Sequence, residues 1–124
     1  MVITMASLFE VTAGKAIGYV SGSAVTQGTN KSTGVTINAA AGAITTHDAS
    51  LAGDAHATFT VTNSEVAATD VVLVSVKSGA STGLYAAFVS ATAAGSFDVT
   101  LENVGSTAGE TVVINFAVIK AAAS

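Results

Sequence analysis

The sequence has no cysteine, no tryptophan and no arginine, and only four basic and eight acidic residues among 124. Without cysteine no disulfide framework is possible, which suits assembly in a reducing cytoplasm. Four lysines neutralise few phosphates, and the formal net charge is −4, so we expect no nucleic-acid partner.

Long apolar runs are also missing. No stretch of about 20 residues is dominated by large apolar side chains, as a membrane-spanning helix requires. The first five residues, Met1 to Met5, lack the basic region and apolar core of a secretory signal. We therefore expect neither a membrane partner nor export by that route.

The scarcity of charge points to self-association. An ordinary soluble domain has about a quarter of its residues charged, so part of this surface is expected to be covered by protein. Val, Ile, Leu and Phe together number only 33, and many other core candidates are Ala. A lone copy should be marginally stable, which favours a homo-oligomer, with a trimer as the expected form.

What the chain does contain favours β-structure. The 17 Val and 17 Thr residues are branched at Cβ and fit pleated strands better than helices. The 25 Ala residues fall mostly beside Gly, Ser and Thr, without an apolar stripe at helical spacing. The length suits one domain.

Alternating segments separated by Gly, Ser and Asn predict an antiparallel β-sandwich of about eight strands. The clearest strands are expected at 57–62, 71–76, 84–89, 96–101 and 111–119. Less regular candidates lie at 2–9, 16–20, 33–38 and 43–47, and residues 21–32 are typical of an exposed loop or arm. Because residues 71–74 are apolar on both faces, that strand should run centrally or lie under a neighbouring subunit.

Several segments follow one another in a recognisable order. They are KSTGVTIN at 31–38, GAIT at 42–45, FTVTNS at 59–64, TDVV at 69–72, Tyr85, GSF at 95–97 and VINFAVIK at 113–120. Over residues 31–120 the chain resembles a β-rich module of tailed-phage structural proteins, and the closing INFAVIK is its most distinctive part. The resemblance implies a trimeric β-sandwich or jelly roll, without a catalytic motif.

This resemblance leads to a functional expectation. The chain is predicted to be a virion structural protein, a decoration or cement subunit on the capsid surface of a bacteriophage. Its partners would be its own copies, as a homotrimer, and the major capsid protein. Residues 1–30 are expected to form an N-terminal strand or capsid-anchoring arm, and 31–124 the sandwich module. The alternative is a fibre-tip or appendage module that binds a host surface receptor.

One cluster has the residue types of a catalytic or metal site. Four polar residues lie within ten positions and could converge on a metal: His47, Asp48, Asp54 and His56. Alternatively, Ser50 could be a nucleophile that His47 activates together with Asp48 or Asp54. The intervening sequence is typical of a loop, and no Gly-x-Ser-x-Gly frame is present. We predict no catalytic residue, no metal site and no cofactor. The chain is therefore not expected to be an enzyme.

Other polar and aromatic residues receive structural interpretations. Asp98 and Glu102 share one strand face, which indicates a solvated edge rather than a carboxylate pair for sugar cleavage. Three residues at strand ends are expected to cap backbone groups: Asn63, Asp70 and Asn103. Four aromatic residues are assigned to the core or to intersubunit contacts, and not to a carbohydrate platform: Tyr85, Phe88, Phe97 and Phe116.

Overall fold

A computed structural model describes residues 23–121 of the chain. Within this range the secondary structure consists of eight β-strands and no helix. The strands are β1 Ala24–Thr26, β2 Val35–Thr36, β3 Ala41–Thr45, β4 Ala55–Thr62, β5 Val71–Ser78, β6 Tyr85–Ala93, β7 Ser96–Asn103 and β8 Val113–Ile119. The prediction of an all-β chain is confirmed for these residues.

The strands form two four-stranded sheets. Sheet 1 has the order β1-β3-β8-β5, and sheet 2 has the order β2-β4-β7-β6. Consecutive strands from β1 to β6 alternate between the two sheets, whereas β6 and β7 form a hairpin within sheet 2. The central strands are therefore β3 and β8 in one sheet, and β4 and β7 in the other.

The sheets are mixed, so the prediction of a purely antiparallel arrangement is wrong. β1 runs parallel to β3, and β2 runs parallel to β4, while the other four strand pairings are antiparallel. Parallel neighbours need a crossover connection instead of a tight hairpin. Here the chain visits the opposite sheet between the two members of each parallel pair, and that excursion supplies the crossover.

Five predicted strands in the second half are confirmed, with shifts of one to four residues at their ends. In the first half, the candidate at 33–38 shortens to β2, and that at 43–47 lies at β3. The candidates at 2–9 and 16–20 fall outside the described residues. The loop or arm predicted over 21–32 is wrong at β1, which joins sheet 1.

The core lies between the two sheets and consists of the inward-facing residue of each alternating pair. In β8, Ile114, Phe116 and Val118 are buried, and in β7, Phe97, Val99 and Leu101 are fully buried. The rings of Phe97 and Phe116 meet across the sheets at 5.6 Å between centroids, tilted by 50°. The two sheets therefore pack face to face in a sandwich-like arrangement.

β5 corrects an expectation, because it is an edge strand of sheet 1 and not a central one. Val72 is buried against the core, whereas Val71 and Leu73 are 52% and 53% exposed. A run that is apolar on both faces had two explanations, a central strand or cover by a neighbouring subunit. The first is wrong, because β5 pairs with β8 alone among the described strands.

Two glycines allow a matched test of the loops. Gly79 and Gly95 both have positive φ, of 100° and 81°. A Cβ at Gly79 would lie 2.2 Å from the backbone oxygen of Thr111, whereas one at Gly95 would meet nothing within 4 Å. The two positions share the conformational cost of a left-handed residue but differ in available space.

We predict that Gly95→Ala costs about 1–2 kcal/mol of unfolding free energy, the strain of a left-handed L-residue. Gly79→Ala should cost about 1–3 kcal/mol more, because the loop must also move away from Thr111. Urea denaturation of both variants measures the difference. Equal losses would show that the approach of residue 79 to Thr111 is not tight in solution.

Candidate interaction surfaces

The four polar residues that could have formed a metal site lie in different structural elements. His47 and Asp48 lie just after β3, Asp54 lies in the turn before β4, and His56 is exposed within β4. His56 lies opposite Glu102 of β7 on the outer face of sheet 2. Of the described residues, no group of three or more His, Cys, Asp or Glu side chains is placed to hold a metal ion.

His47 is engaged within its own loop. Its Nδ1 accepts a hydrogen bond of 2.9 Å from the backbone N–H of Ala49, and it lies 3.3 Å from Asp48 Oδ1. A nitrogen that accepts a hydrogen bond carries no proton for the carboxylate, so the contact with Asp48 is not an ion pair in this arrangement. The arrangement stabilises a loop and offers no oriented base to Ser50.

The most densely bonded carboxylate is Glu110, which the sequence did not single out. It accepts hydrogen bonds from the backbone N–H groups of Ser81, Thr82 and Gly83 at 2.8–3.2 Å, and from Ser81 Oγ at 2.8 Å. The N–H of Thr82, with those of Gly83 and Ser81, lowers the pKa of Glu110 to about 2, against an opposing effect of burial. Glu110 thereby fastens the β5–β6 loop to the segment before β8.

Two further side chains, those of Tyr85 and Lys31, lie near Glu110. Tyr85 is buried below the loop, and burial, with the nearby Glu110 carboxylate, raises its pKa to about 12. Lys31 Nζ donates to the backbone oxygens of His47 and Glu110, the latter at 2.7 Å. Burial lowers the pKa of Lys31, while the charges of Asp48 and Glu110 oppose that shift. These contacts close one end of the sandwich and bind its loops together.

The capping role predicted for the strand-end residues is confirmed. Asn103 Oδ1 accepts the N–H groups of Leu84 and Gly105, and its Nδ2 donates to the oxygens of Leu51 and Ser106. Asn63 similarly bridges the backbone of Ala39 and Glu65.

Asp70 has a similar role where β5 begins. Asp70 Oδ2 accepts the N–H of Ala67 at 2.7 Å and the Lys120 ammonium at 2.5 Å. The hydrogen bond from Lys120, followed by that from Ala67, lowers the pKa of Asp70. The Asp70–Lys120 pair thus fixes the end of β8 to the turn that leads into β5.

The outer face of sheet 1 carries almost no charge. Cross-strand register places Ala41, Ala117 and Leu73 in one row and Ile119 beside Val71 in the next. We call this surface the apolar face; its apolar residues are Ala41, Ala43, Val71, Leu73, Val113, Ala117 and Ile119, and the exposed Ser75 and Asn115 lie among them in register with Ala43. Ile119 is 44% exposed, so the three largest side chains of the face are each about half accessible. Beside these large side chains, the Ala residues of the face project little from the sheet, so that another protein can approach the backbone closely.

The outer face of sheet 2 has a different character. We call it the polar face; it comprises His56, Thr58, Thr60, Thr62, Ala86, Phe88, Ser90, Asp98, Thr100 and Glu102. β7, which carries both carboxylates, is a central strand, so the prediction that Asp98 and Glu102 mark a solvated edge is wrong. Phe88 lies on β6, the edge strand of this face, and is 48% exposed, whereas Tyr85, Phe97 and Phe116 are buried. Core packing is therefore confirmed for three of the four aromatic residues.

No helix in the described range is long and apolar enough to cross a membrane.

The Glu110 contact predicts sensitivity to acid. Because its folded-state pKa lies below its ordinary value of 4.5, its contribution to stability is present above that value and is lost as pH falls toward about 2. Glu110→Gln should lower stability at neutral pH and flatten the dependence on pH across that window. Asp70 leaves a residual slope in the variant, since its pKa is lowered too.

Urea denaturation at a series of pH values measures this effect. Ser81→Ala removes one of the donors to Glu110 and should give an intermediate profile. A Glu110→Gln variant that keeps the slope of the wild-type chain below pH 4.5 would contradict the assignment.

Comparison with known proteins finds no protein-family model, no curated protein and no solved structure that matches this chain significantly.

Proposed function

We propose that this chain is a virion structural protein, a capsid decoration or cement subunit that associates with its own copies and binds the major capsid protein of a tailed phage. The observation that supports the proposal best is the apolar face of sheet 1. A face with Val71 and Leu73 about half exposed is a typical site of protein association.

Burial of the apolar face favours association energetically. Complete burial of a Val, Leu or Ile side chain is worth roughly 1.5–3 kcal/mol, so covering a half-exposed one contributes about 1 kcal/mol. Val71, Leu73 and Ile119 contribute from every copy. Because the strands that carry this face lack acidic residues, contact between copies brings no carboxylates together there. Lys77, at the end of β5, is the charged residue of those strands.

A closed homotrimer with a jelly-roll-like packing of the sheets is the assembly that the phage resemblance implies, and we include it in the proposal. Such a subunit acts mechanically. The oligomer would lie across capsomer boundaries on the head surface, after assembly in the host cytoplasm, and its contacts would oppose expansion or rupture of the shell. This role requires no covalent chemistry and no cofactor.

A second candidate function is supported by the polar face. In a fibre-tip or appendage module, a surface with hydroxyls, carboxylates and the exposed ring of Phe88 would bind a host receptor. The two candidates share the oligomer but differ in location. A decoration protein occupies many sites over the head, whereas a tip module occupies few sites on an appendage.

The role of the apolar face predicts the effect of Leu73→Asp. A carboxylate within the contact would be buried without a partner, so the variant should lose self-association while the sandwich stays folded. Thr62→Asp, at an exposed position of sheet 2, is the matched control and should keep the wild-type mass. Size-exclusion chromatography with light scattering measures the mass. A wild-type chain that elutes as a 12.0 kDa monomer, or a Leu73→Asp variant that keeps the wild-type mass, would contradict this role.

The proposed anchoring arm predicts the effect of a deletion. Of the arm predicted at residues 1–30, residues 1–22 precede the first described strand, so removing them deletes no described strand and should reduce binding to undecorated phage capsids. Cryo-electron microscopy of capsids mixed with the full-length chain or the deletion variant measures occupancy. Equal occupancy would eliminate the arm, and failure of the full-length chain to bind heads at all would eliminate the decoration role.

A further inference from the structure

Phe88 occupies a position on the polar face that the fold does not require. Its side chain points away from the core, and 48% of its surface is exposed. It lies directly opposite Thr100 in the β6–β7 register. An aromatic ring held on a sheet face offers a planar apolar surface at low conformational cost.

The hydroxyls around the ring are held in place by one another. Thr58 Oγ1 and Thr100 Oγ1 lie 2.8 Å apart, and Thr100 Oγ1 donates to Ser90 Oγ at 3.0 Å. This chain of hydroxyls crosses three strands beside Phe88. Because the side chains are already ordered, a ligand that contacts them has less entropy to lose on binding.

Two carboxylates flank the ring. Asp98 and Glu102 lie two residues before and after Thr100 on β7, so each is a diagonal neighbour of Phe88, at about 7–8 Å between strands. Asp98 Oδ1 accepts a hydrogen bond of 2.7 Å from Thr60 Oγ1, which fixes its orientation and leaves its second oxygen able to accept another. Two strong acceptors therefore lie on β7, on the strand beside the ring and to either side of Thr100.

The charge of the face limits the ligand. β4, β6 and β7 contain no lysine, and their charged residues are Asp98 and Glu102, with His56 as a further titratable group. A phosphate, sulfate or carboxylate ligand would meet like charge here. A ligand with many hydroxyl donors and no charge would instead find acceptors on both sides of an apolar plane.

We propose that the polar face binds a neutral saccharide. One pyranose ring would stack its C–H face on Phe88, and its hydroxyls would donate to Asp98 and Glu102. The geometry differs from that of a carbohydrate-cleaving site, because the carboxylates lie four positions apart on one strand, on an open sheet face, and no cleft is needed. This inference does not depend on association through the apolar face, which belongs to the other sheet.

Native affinity electrophoresis of the full-length chain tests the proposal. The gels contain soluble glucan, mannan or galactan, with alginate as an anionic comparison. At least one neutral polysaccharide should retard the wild-type chain, and Phe88→Ala should weaken binding by about tenfold or more, equivalent to about 1.4 kcal/mol. Phe88→Trp should keep the retardation because it preserves the aromatic plane, and Asp98→Asn should reduce it.

Leu84→Ala is the matched control, since Leu84 is a large exposed apolar residue outside the polar face. It should bind as the wild type does, and circular dichroism checks that all variants stay folded. Three results would each overturn the proposal: no retardation by any of the neutral polysaccharides, equal retardation of the wild type and Phe88→Ala, or stronger retardation by alginate than by the neutral polymers. These results leave the mass measured for Leu73→Asp unaffected, so the two proposals fail independently.

Discussion

The structure depends on the contact between the inner faces of two four-stranded sheets, where the rings of Phe97 and Phe116 meet. Strand side chains alternate in direction, so one half of each strand must be apolar to fill this single core layer. The other half is not needed for the core. The chemistry of the two outer faces therefore carries the information about what the molecule contacts.

The two outer faces differ in a way that one domain does not require. Sheet 1 presents small and large apolar side chains, with Leu73 on the edge strand β5 beside Ala117 of β8. Sheet 2 presents hydroxyls and carboxylates around Phe88. Such a difference is useful in an assembly, because one face can be covered by protein while the other stays in solvent. The buried Asn103 and the densely bonded Glu110 hold loops of the sandwich together.

Strand identity could be predicted from the sequence because alternation is local, and Phe97, Val99 and Leu101 are buried as that pattern required. Pairing could not be predicted in the same way. Ala24 pairs with Ala43 in parallel through an excursion to the other sheet, and no local pattern records such a crossover. Glu110 contacts Ser81 across 29 positions, so its role becomes visible only when the loops are placed together. The exposure of Phe88 could not be predicted because the sequence does not show which face of β6 is buried. A shift of one residue in register would place the same side chain in the core.

The central claim is that copies of this chain cover one another's apolar face. Isotope-filtered NOE spectroscopy on a mixture of labelled and unlabelled chains tests it most directly, because it detects contacts between copies at named methyl groups. The account predicts intermolecular NOEs from the methyl groups of Val71, Leu73 and Ile119. Their absence from these methyls, or intermolecular NOEs confined to the polar face, would contradict it.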